Sequence, residues 1–285
     1  MARPPWDTGH AGRNQTAPST ADSRFDPSVP HPARVYNAWL GGKDNYAADR
    51  DAADEVIRHR PQVVAGARAN RHFLARVVRF LSAECGIRQF IDIGTGLPAP
   101  DNTHEVAQRI TPASRIVYID NDPLVLAHAR ALLTSTPQGT CDYIDTDLHD
   151  TATILRGAAR TLNLARPAAV LLLAVLHFVP DADGPAGIVA ALAGGLAPGS
   201  YIAISHLTAD FAPATVAAGV DAYNTLVPQP LTPRTLAQVT GLFAGSPLLA
   251  PGVVPLTRWH PDLRDPSPPD CDLYAGAART SGRRM

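Results

Sequence analysis

The feature that most constrains the fold is an alternation of short apolar segments and longer amphipathic ones between residues 89 and 205. The apolar segments are predicted to be strands, and they lie at residues 89–93, 115–120, 142–145, 168–176 and 201–205. The intervening segments carry apolar residues at helical spacing, and helices are expected at about 102–110, 123–134, 151–162 and 187–196. Alternation at this spacing predicts parallel βαβ units, with helices on both faces of one sheet.

The C-terminal part of the chain breaks this alternation. A predicted helix near residues 233–243 precedes two extended segments, at 248–259 and 272–280, which the turn-rich residues 260–270 separate. Extended segments joined by turns are typical of antiparallel strands. We therefore predict an α/β fold, a Rossmann-like doubly wound sheet of about seven strands that is mainly parallel and has an antiparallel C-terminal edge.

The region before the first strand is predicted to be helical, because apolar residues such as Val56 and Phe73 recur at spacings of three to four. We interpret residues 28–86 as an N-terminal helical cap or lid on a domain that spans residues 87–285. Residues 1–27 are polar and rich in proline, and we expect this segment to be disordered.

Composition excludes several classes of partner. A formal net charge of −1 supplies no overall field for nucleic acid or for an anionic membrane. The longest apolar run, residues 168–176, is too short to span a bilayer, and the N-terminal residues carry no apolar signal core. The three cysteines are far apart and form no Cys-x-x-Cys pair, which is typical of a reducing compartment. We expect a cytoplasmic, bacterial protein with no nucleic-acid or membrane partner and no metal site.

The strongest local motif is the strand that runs into a glycine turn, Phe90-Ile-Asp-Ile-Gly-Thr-Gly96. A Gly-x-Gly turn, here Gly94-Thr95-Gly96, lets a ligand approach the backbone closely because no Cβ intervenes. Together with Ala99, the two glycines also satisfy the dinucleotide-binding pattern, so a site for NAD shares this signal.

Two details of the following residues favour S-adenosylmethionine. Pro98 delays the next helix, whose predicted start, Asn102, is an N-cap with Glu105 three residues later. Asp101 and Glu105 would repel a phosphate at this helix N-terminus, whereas they tolerate the cationic sulfonium and amino group of S-adenosylmethionine. Asp92 is placed to reach that amino group.

Acidic residues also follow the second and third predicted strands. Asp120 can accept both ribose hydroxyl protons, a role that serves NAD and S-adenosylmethionine alike, and Asn121 could flank the adenine. The alternative role, an N-cap, suits Asp122 better. After the third strand, Asp147 can hydrogen-bond the adenine amino group while Leu148 covers the ring.

Three residues are candidate proton acceptors. His177 follows the fourth strand, at the sheet edge where ligands of open α/β sheets bind, and it is either a ligand contact or a structural histidine. Tyr36 and His206 are the other candidates, because each could face the same cleft.

Segments across the chain resemble the actinobacterial S-adenosyl methyltransferase family, long described as a domain of unknown function. The most specific segment is Gly41-Gly-Lys-Asp-Asn-Tyr46. The matching residues are 33–46, 69–74, 90–98, 102–105, 117–123, 174–178, 251–254 and 259. The resemblance implies a Rossmann-like fold with an N-terminal helical cap, S-adenosylmethionine as cofactor and S-adenosylhomocysteine as product, but it implies no acceptor.

The resemblance also gives the cap a function. The segment 41–46 is either a helix–turn–helix corner or a lid over the cofactor, with Tyr36, Asn45 or Tyr46 lining the methyl-transfer cavity. Arg71 is expected to pair with the cofactor carboxylate. The neighbouring arginines are expected on a solvated helix face; they are Arg68, Arg76 and Arg79.

The function expected from all of these features is methyl transfer from S-adenosylmethionine to a small molecule. Two alternatives stay open at this point, a non-catalytic S-adenosylmethionine-binding regulatory protein and an NAD-dependent oxidoreductase. The sheet edge and the cap could each support a homodimer.

Overall fold

The computed structural model describes residues 26–132, 134–261 and 271–281. The predicted disorder of residues 1–27 and the predicted turns at 260–270 therefore lie almost entirely outside the described residues. The strands are β1 (Gln89–Ile93), β2 (Arg115–Asp120), β3 (Thr140–Asp145), β4 (Ala169–Leu173), β5 (Tyr201–Leu207), β6 (Val254–Pro255) and β7 (Leu273–Arg279). The helices are α1 (Pro32–Trp39), α2 (Ala47–His59), α3 (Val63–Ala83), α4 (Thr103–Ile110), α5 (Pro123–Leu132), α6 (Thr151–Ala158), α7 (Pro185–Gly194), α8 (Pro213–Leu226) and α9 (Leu236–Gly241).

The strands form one seven-stranded sheet in the order β3-β2-β1-β4-β5-β7-β6. Strands β1 to β5 pair in parallel, whereas β7 lies antiparallel between β5 and β6. The predicted Rossmann-like fold with an antiparallel C-terminal edge is confirmed. The carboxyl ends of the five parallel strands consequently meet at one edge of the sheet, where open α/β sheets bind ligands.

Side chains of successive strand residues enter two different apolar layers, because they point to opposite faces of the sheet. Phe90 of β1 packs in the layer that holds α3 and α4, together with residues of α8. Ile91 packs in the opposite layer, with α6 and α7. Burial on both faces explains why the central strands are nearly continuous apolar runs.

Two predicted strands are shorter in the structure. The fourth was expected to reach residue 176, but β4 ends at Leu173 because Ala174 adopts a left-handed conformation with φ of 55°. The chain then turns into a short 3₁₀-helix, Leu176–Phe178. The extended segment 248–259 contains only the two-residue strand β6 and an isolated bridge at Leu248.

The N-terminal helices divide between two places. Helix α3 belongs to the main apolar layer, through residues such as Phe73 and Val77. Helices α1 and α2 form a separate small core with Tyr223 of α8 and with Val227, which directly follows that helix. The helical covering of the sheet edge is therefore built from both ends of the chain, by α1, α2 and α8, and the sequence analysis did not predict α8.

One predicted surface residue is buried. Arg76 was expected on a solvated face of α3, but it is 7% exposed, and its guanidinium donates to the carbonyl oxygens of Trp259 (3.2 Å) and Leu256 (2.9 Å). This contact fixes α3 to the segment that follows β6. Among the described residues, none of the helices combines the length and the apolar character that crossing a bilayer requires.

Candidate functional site

A cavity of about 270 Å³ lies at the carboxyl ends of the parallel strands. It has two parts, which differ in the elements that build them. The strand-end half is formed by loops after β1, β2 and β3, and its residues are Asp92, Ile93, Gly94, Thr95, Gly96, Asp120, Asn121, Asp147 and Leu148. The aromatic half is lined by α1, α8 and the 3₁₀-helix Leu176–Phe178, and its rings are Tyr36, Trp39, Phe178 and Tyr223.

The two glycines of the turn after β1 differ in what a side chain at each position would contact. Gly94 has φ of 69°, and a Cβ there would lie 2.5 Å from Cγ2 of Val175, so the turn packs directly on the loop after β4. Gly96 has φ of 66°, but an added Cβ would meet nothing within 4 Å. Thr95 closes the turn by donating its hydroxyl to the carbonyl oxygen of Asp92 at 3.0 Å. Gly94 therefore serves packing, whereas Gly96 keeps space open beside the cavity.

Two buried carboxylates stand at the ends of neighbouring strands. Asp92 is 5% exposed and accepts a hydrogen bond of 2.7 Å from the hydroxyl of Thr103, and burial raises its pKa to about 6. Asp120 accepts from the backbone N–H of Gly96 at 2.9 Å and of Asp122 at 3.0 Å, and burial raises its pKa as well. Each carboxylate oxygen can accept more than one hydrogen bond, so both groups retain capacity for a ligand.

Residues after β2 and β3 meet at the mouth of the cavity. The side-chain amide of Asn121 donates to Oδ2 of Asp147 at 3.0 Å, and the backbone N–H of His149 donates to Oδ1 at 2.9 Å. Asp147 is about half exposed, and Leu148 lines the cavity beside it. The contact brings together two predicted residues, and it adds His149, which no sequence motif marked as a site residue.

Arg71 of α3 borders the strand-end half. One terminal nitrogen donates to the carbonyl oxygen of Pro100 at 3.0 Å. Its Nε is buried and has no hydrogen-bond partner among the described residues. Because buried donors are nearly always paired, an unpaired donor at the border of the cavity suits a ligand group with an acceptor oxygen.

The structure separates the three cap residues that were expected at the cavity. Tyr36 lines it, and its hydroxyl donates to the carbonyl oxygen of Ala67 at 2.9 Å. Asn45 and Tyr46 are not among the lining residues, and the Asn45 amide is held by Oδ1 of Asn37 at 2.8 Å and the carbonyl of Gly42 at 2.9 Å. Contrary to the expectation, Asn45 belongs to a hydrogen-bonded corner between α1 and α2.

The candidate proton acceptors also differ from one another. Burial raises the pKa of Tyr36, whose proton is already donated to a carbonyl, so it is a poor base. His206 is buried with Nδ1 against the carbonyl of Leu207 (2.7 Å) and Nε2 against Arg234 (2.8 Å), which leaves neither nitrogen free. His177 lines the cavity, and its buried Nδ1 has no partner in the described part of the chain. Burial, followed by the positive charge of its neighbours, holds the pKa of His177 well below its usual range, so the ring is neutral.

The aromatic half was largely missed by sequence analysis. Trp39, Phe178 and Tyr223 come from three separate elements, and each also has the spacing of an ordinary core residue. No local motif distinguishes a ring that lines a cavity from one that fills a core.

The cofactor can be tested against these residues. Carboxylates at Asp92 and Asp120, open space at Gly96 and the unpaired Nε of Arg71 fit the amino group, ribose and carboxylate of S-adenosylmethionine. At the N-terminus of α4, the backbone N–H of Asn102 donates to Glu105 at 3.0 Å and that of His104 donates to the hydroxyl of Tyr118 at 2.8 Å, so these N–H groups are not free to bind a pyrophosphate. The fold and the site define a class I, Rossmann-like S-adenosylmethionine-dependent methyltransferase.

Sequence comparison places the chain within that class. Residues 18–281 match the S-adenosyl methyltransferase family, and the chain belongs to this family. The resemblance noted from the motifs, the enzyme class and the cofactor are thereby confirmed. Neither the regulatory alternative nor the oxidoreductase alternative receives support.

Two solved structures are similar over nearly the whole chain. A DUF574 family protein from Streptomyces avermitilis is 42% identical, with a TM-score of 0.85 over 90% of this chain and 99% of its own. A protein from Thermobifida fusca that is assigned as a methyltransferase is 38% identical, with a TM-score of 0.81 over 89% of this chain and 96% of its own. An O-methyltransferase family protein from Burkholderia thailandensis, 17% identical, shares the fold alone, with a TM-score of 0.51 over 77% of this chain and 60% of its own. No functionally curated protein is significantly similar.

Proposed function

We propose that this enzyme methylates a small molecule with a flat apolar body, bound in the aromatic half of the cavity. The observation that carries the proposal is the cluster of aromatic side chains next to the strand-end half. Ring centroids lie 6.3 Å apart for Tyr36 and Trp39, 6.4 Å for Trp39 and Tyr223, and 6.2 Å for Phe178 and Tyr223. Aromatic rings at such spacings favour edge-on and offset packing, and they present apolar area to a flat ligand.

The covering helices favour a small acceptor over a polymer. Helix α1 is fixed at the end of β2, because His31 and Arg34 both contact the buried Asp122, at 3.0 Å and 3.4 Å. Arg34 also pairs with Asp49 of α2 at 3.5 Å, which ties the two helices together. A protein side chain or an RNA base on a large polymer would have to displace these contacts to reach the aromatic half.

The strand-end half is assigned to the cofactor. Asp92 is proposed to bind its amino group, Asp120 its ribose hydroxyls, and Arg71 its carboxylate. The backbone at 94–96 forms the floor, while the adenine contacts are assigned to Asn121, Asp147 and Leu148. When bound, S-adenosylmethionine supplies a methyl group that its sulfonium already activates. The protein contributes positioning and the exclusion of water, which can supply roughly 7–11 kcal/mol of a reaction barrier.

His177 is proposed to accept the proton of the acceptor. Because the ring is neutral, one nitrogen retains a lone pair, and Nδ1 is not engaged by any described residue. A positioned base contributes typically 10²–10⁴-fold to a rate. His177→Gln should therefore lower kcat by about 10²-fold or more and leave the affinity for S-adenosylhomocysteine unchanged.

The test is transfer from methyl-labelled S-adenosylmethionine to fractions of a bacterial extract separated by size. The proposal expects a labelled product other than the cofactor in the fraction below about 1 kDa, and no such product when Asp120→Ala protein is used. Label confined to protein or RNA would overturn the small-molecule assignment. Absence of any labelled product besides the cofactor, with intact cofactor binding, would instead favour a regulatory protein.

A further inference from the structure

Arg60 stands where the end of α2 borders the cavity. Its side chain is nearly buried, at 6% exposure, and its Nε donates to Oδ2 of Asp272 at 2.9 Å. The two terminal nitrogens of the guanidinium have no hydrogen-bond acceptor among the described residues. Neither of these nitrogens is among the buried atoms that lack a hydrogen-bond partner, so both retain solvent-accessible surface. Arg60 is one of the residues that line the cavity.

A second unpaired donor lies on the neighbouring helix. The stem of Arg60 packs on Gly219 of α8, where a Cβ would lie 2.9 Å from the Cβ of Arg60. Tyr223 is one turn further along the same face of α8. It is 1% exposed and lines the cavity, and its hydroxyl has no partner within the described ranges. Burial raises the pKa of Tyr223 well above its ordinary value, so the hydroxyl keeps its proton and can donate it.

These donors have a defined geometric preference. A guanidinium presents its donors in a planar fork that matches the two oxygens of a carboxylate. Because Nε of Arg60 is committed to Asp272, the terminal pair of nitrogens remains for a second carboxylate. The hydroxyl of Tyr223 is a buried donor without a partner in the described part of the chain, so binding of an anion here would relieve a cost already present in the free protein.

The positive charge of Arg60 also reaches the proposed reaction centre. Arg60 is among the cations that lower the pKa of His177, after burial and the charge of His206. In an apolar chamber, such a charge favours an anionic ligand more strongly than it would in water.

We infer that the acceptor is a planar aromatic carboxylate, held by its ring in the aromatic half and by its carboxylate on the terminal nitrogens of Arg60 and the hydroxyl of Tyr223. This inference rests on the proposed function, and it names the class of substrate. Arg60 and Tyr223 determine specificity, whereas Asp272 positions Arg60.

The test measures binding to the full-length protein saturated with S-adenosylhomocysteine, by calorimetry. The probes are matched pairs with and without the charge, benzoate against benzamide and 2-naphthoate against 2-naphthamide. In the wild-type protein, at least one carboxylate should bind tenfold or more tightly than its amide. Arg60→Gln should abolish that preference, and Tyr223→Phe should reduce carboxylate affinity about 3- to 10-fold without lowering the melting temperature.

Asp272→Asn separates recognition from a purely structural role of Arg60. If Arg60 only ties the end of α2 to the residue that precedes β7, both Arg60→Gln and Asp272→Asn should disturb the site alike. If Arg60 binds the acceptor, Asp272→Asn removes a competing negative charge and should keep or strengthen the preference for carboxylates. Equal binding of carboxylates and amides, binding of neither, or equal loss in both variants would overturn the inference.

Failure of this inference is distinguishable from failure of the proposed function. Methyl transfer to neutral small molecules by wild-type and Arg60→Gln proteins alike would leave the proposed function intact. It would contradict the inference that the acceptor carries a carboxylate. Conversely, a carboxylate preference that depends on Arg60, without methyl transfer to any small molecule, would support the recognition site while removing the proposed reaction.

Discussion

The two halves of the cavity are built in different ways. The strand-end half consists of short loops that follow consecutive parallel strands, and its polar groups are carboxylates and backbone amides fixed by the sheet. The aromatic half is assembled from α1, α8 and a 3₁₀-helix, with Arg60 at the end of α2, and these elements lie far apart in the sequence. The first half depends on local geometry, whereas the second depends on how distant helices pack.

This difference divides the chemistry as well. Groups that face the cofactor are rigid and shared with the fold, because a strand end can hold a carboxylate in only a few orientations. Groups that face the acceptor lie on helices that can vary without disturbing the sheet. Substitutions in the strand-end half should therefore affect cofactor binding, and substitutions in the aromatic half should affect only the acceptor.

The largest effect is expected at Asp120. A carboxylate that accepts two ribose hydroxyls gains about 1.5–3 kcal/mol from each bond, so Asp120→Ala should weaken binding of S-adenosylmethionine about 100-fold or more. Calorimetric titration measures this change. Asp221→Asn, on the exposed surface of α8, is the matched control and should bind normally. Retained affinity in Asp120→Asn and Asp120→Ala alike would remove Asp120 from the cofactor site.

The glycine turn offers a contrast between packing and binding. In Gly94→Ala the new methyl group meets Val175, and the left-handed backbone adds strain, so we expect a loss of about 2–4 kcal/mol in the free energy of unfolding. Gly96→Ala lacks the collision and should lose about 1 kcal/mol, yet it should weaken cofactor binding because the methyl group occupies the open side. Denaturant unfolding and calorimetry measure the two effects.

A second substitution sharpens the comparison of the glycines. Val175→Ala removes the atom that the methyl group of Gly94→Ala would strike, so the double variant should recover part of the lost stability. The same Val175→Ala change should not restore cofactor binding in Gly96→Ala. Equal stability losses in the two glycine variants would show that backbone strain alone, and not the contact with Val175, governs position 94.

Asp92 should oppose stability in the free protein. Its pKa is raised by burial from 3.8 to about 6, so at neutral pH the folded state holds a carboxylate that would be more favourably ionised in the unfolded chain. Asp92→Asn should raise the free energy of unfolding by about 1–3 kcal/mol at pH 7.5 while weakening cofactor binding. Folding binds extra protons between about pH 4 and 6, so the advantage of the variant should shrink as pH falls through this window.

Chemical denaturation at pH 7.5 and pH 4 measures the effect at Asp92. Thr103→Val is a useful companion, because it removes the hydroxyl that stabilises the carboxylate, and it should destabilise the wild-type background more than the Asp92→Asn background. An Asp92→Asn protein that is less stable than wild type at pH 7.5 would contradict the interpretation that burial dominates at this site.

The predictability of the two halves follows from the same physical difference. The strand that ends in Gly94-Thr95-Gly96 could be recognised because the turn, the strand and the glycines lie within a few residues of one another. The acids at Asp120 and Asp147 were placed by the rule that parallel strands present their carboxyl ends at one edge. The role of Asn45 was not predicted correctly, because a loop polar residue can bond to its own corner as readily as face a cavity.

Other features could not be predicted from the sequence because they depend on packing between distant segments. The left-handed residue that ends β4 is Ala174 and not a glycine, so nothing in the sequence marks the end of the strand. The predicted strand is therefore too long. Arg76 has the spacing of a surface residue and is buried only because the segment near Trp259 returns across α3. Arg60, Trp39 and Tyr223 converge through contacts of α2 with α1 and with α8, and no local pattern encodes these contacts.

Trp39 tests whether the aromatic half is independent of the cofactor. Its ring lies between Tyr36 and Tyr223, so Trp39→Ala removes apolar area that a flat acceptor would contact. We expect the acceptor KM to rise about tenfold, consistent with the loss of an aromatic contact of roughly 1.4 kcal/mol, and the affinity for S-adenosylhomocysteine to change less than twofold. Trp39→Phe is the conservative control and should restore most of the affinity. A parallel loss of cofactor affinity would mean that the halves are coupled.

The smallest effect is expected at the mouth of the strand-end half. Asp147 is half exposed, and its interaction with an adenine amino group competes with water, so a single hydrogen bond there is worth about 0.5–1.5 kcal/mol. Asp147→Asn should weaken S-adenosylmethionine binding only about 3-fold, and Asn121→Ala should act through the same contact, since the two side chains are bonded at 3.0 Å. In the double variant, the loss of binding free energy should be smaller than the sum of the losses in the two single variants, because the two residues act as one unit. Fully additive losses would show that Asn121 and Asp147 contact the cofactor separately. A loss as large as that at Asp120 would show that the mouth contributes as much to cofactor binding as the buried strand end.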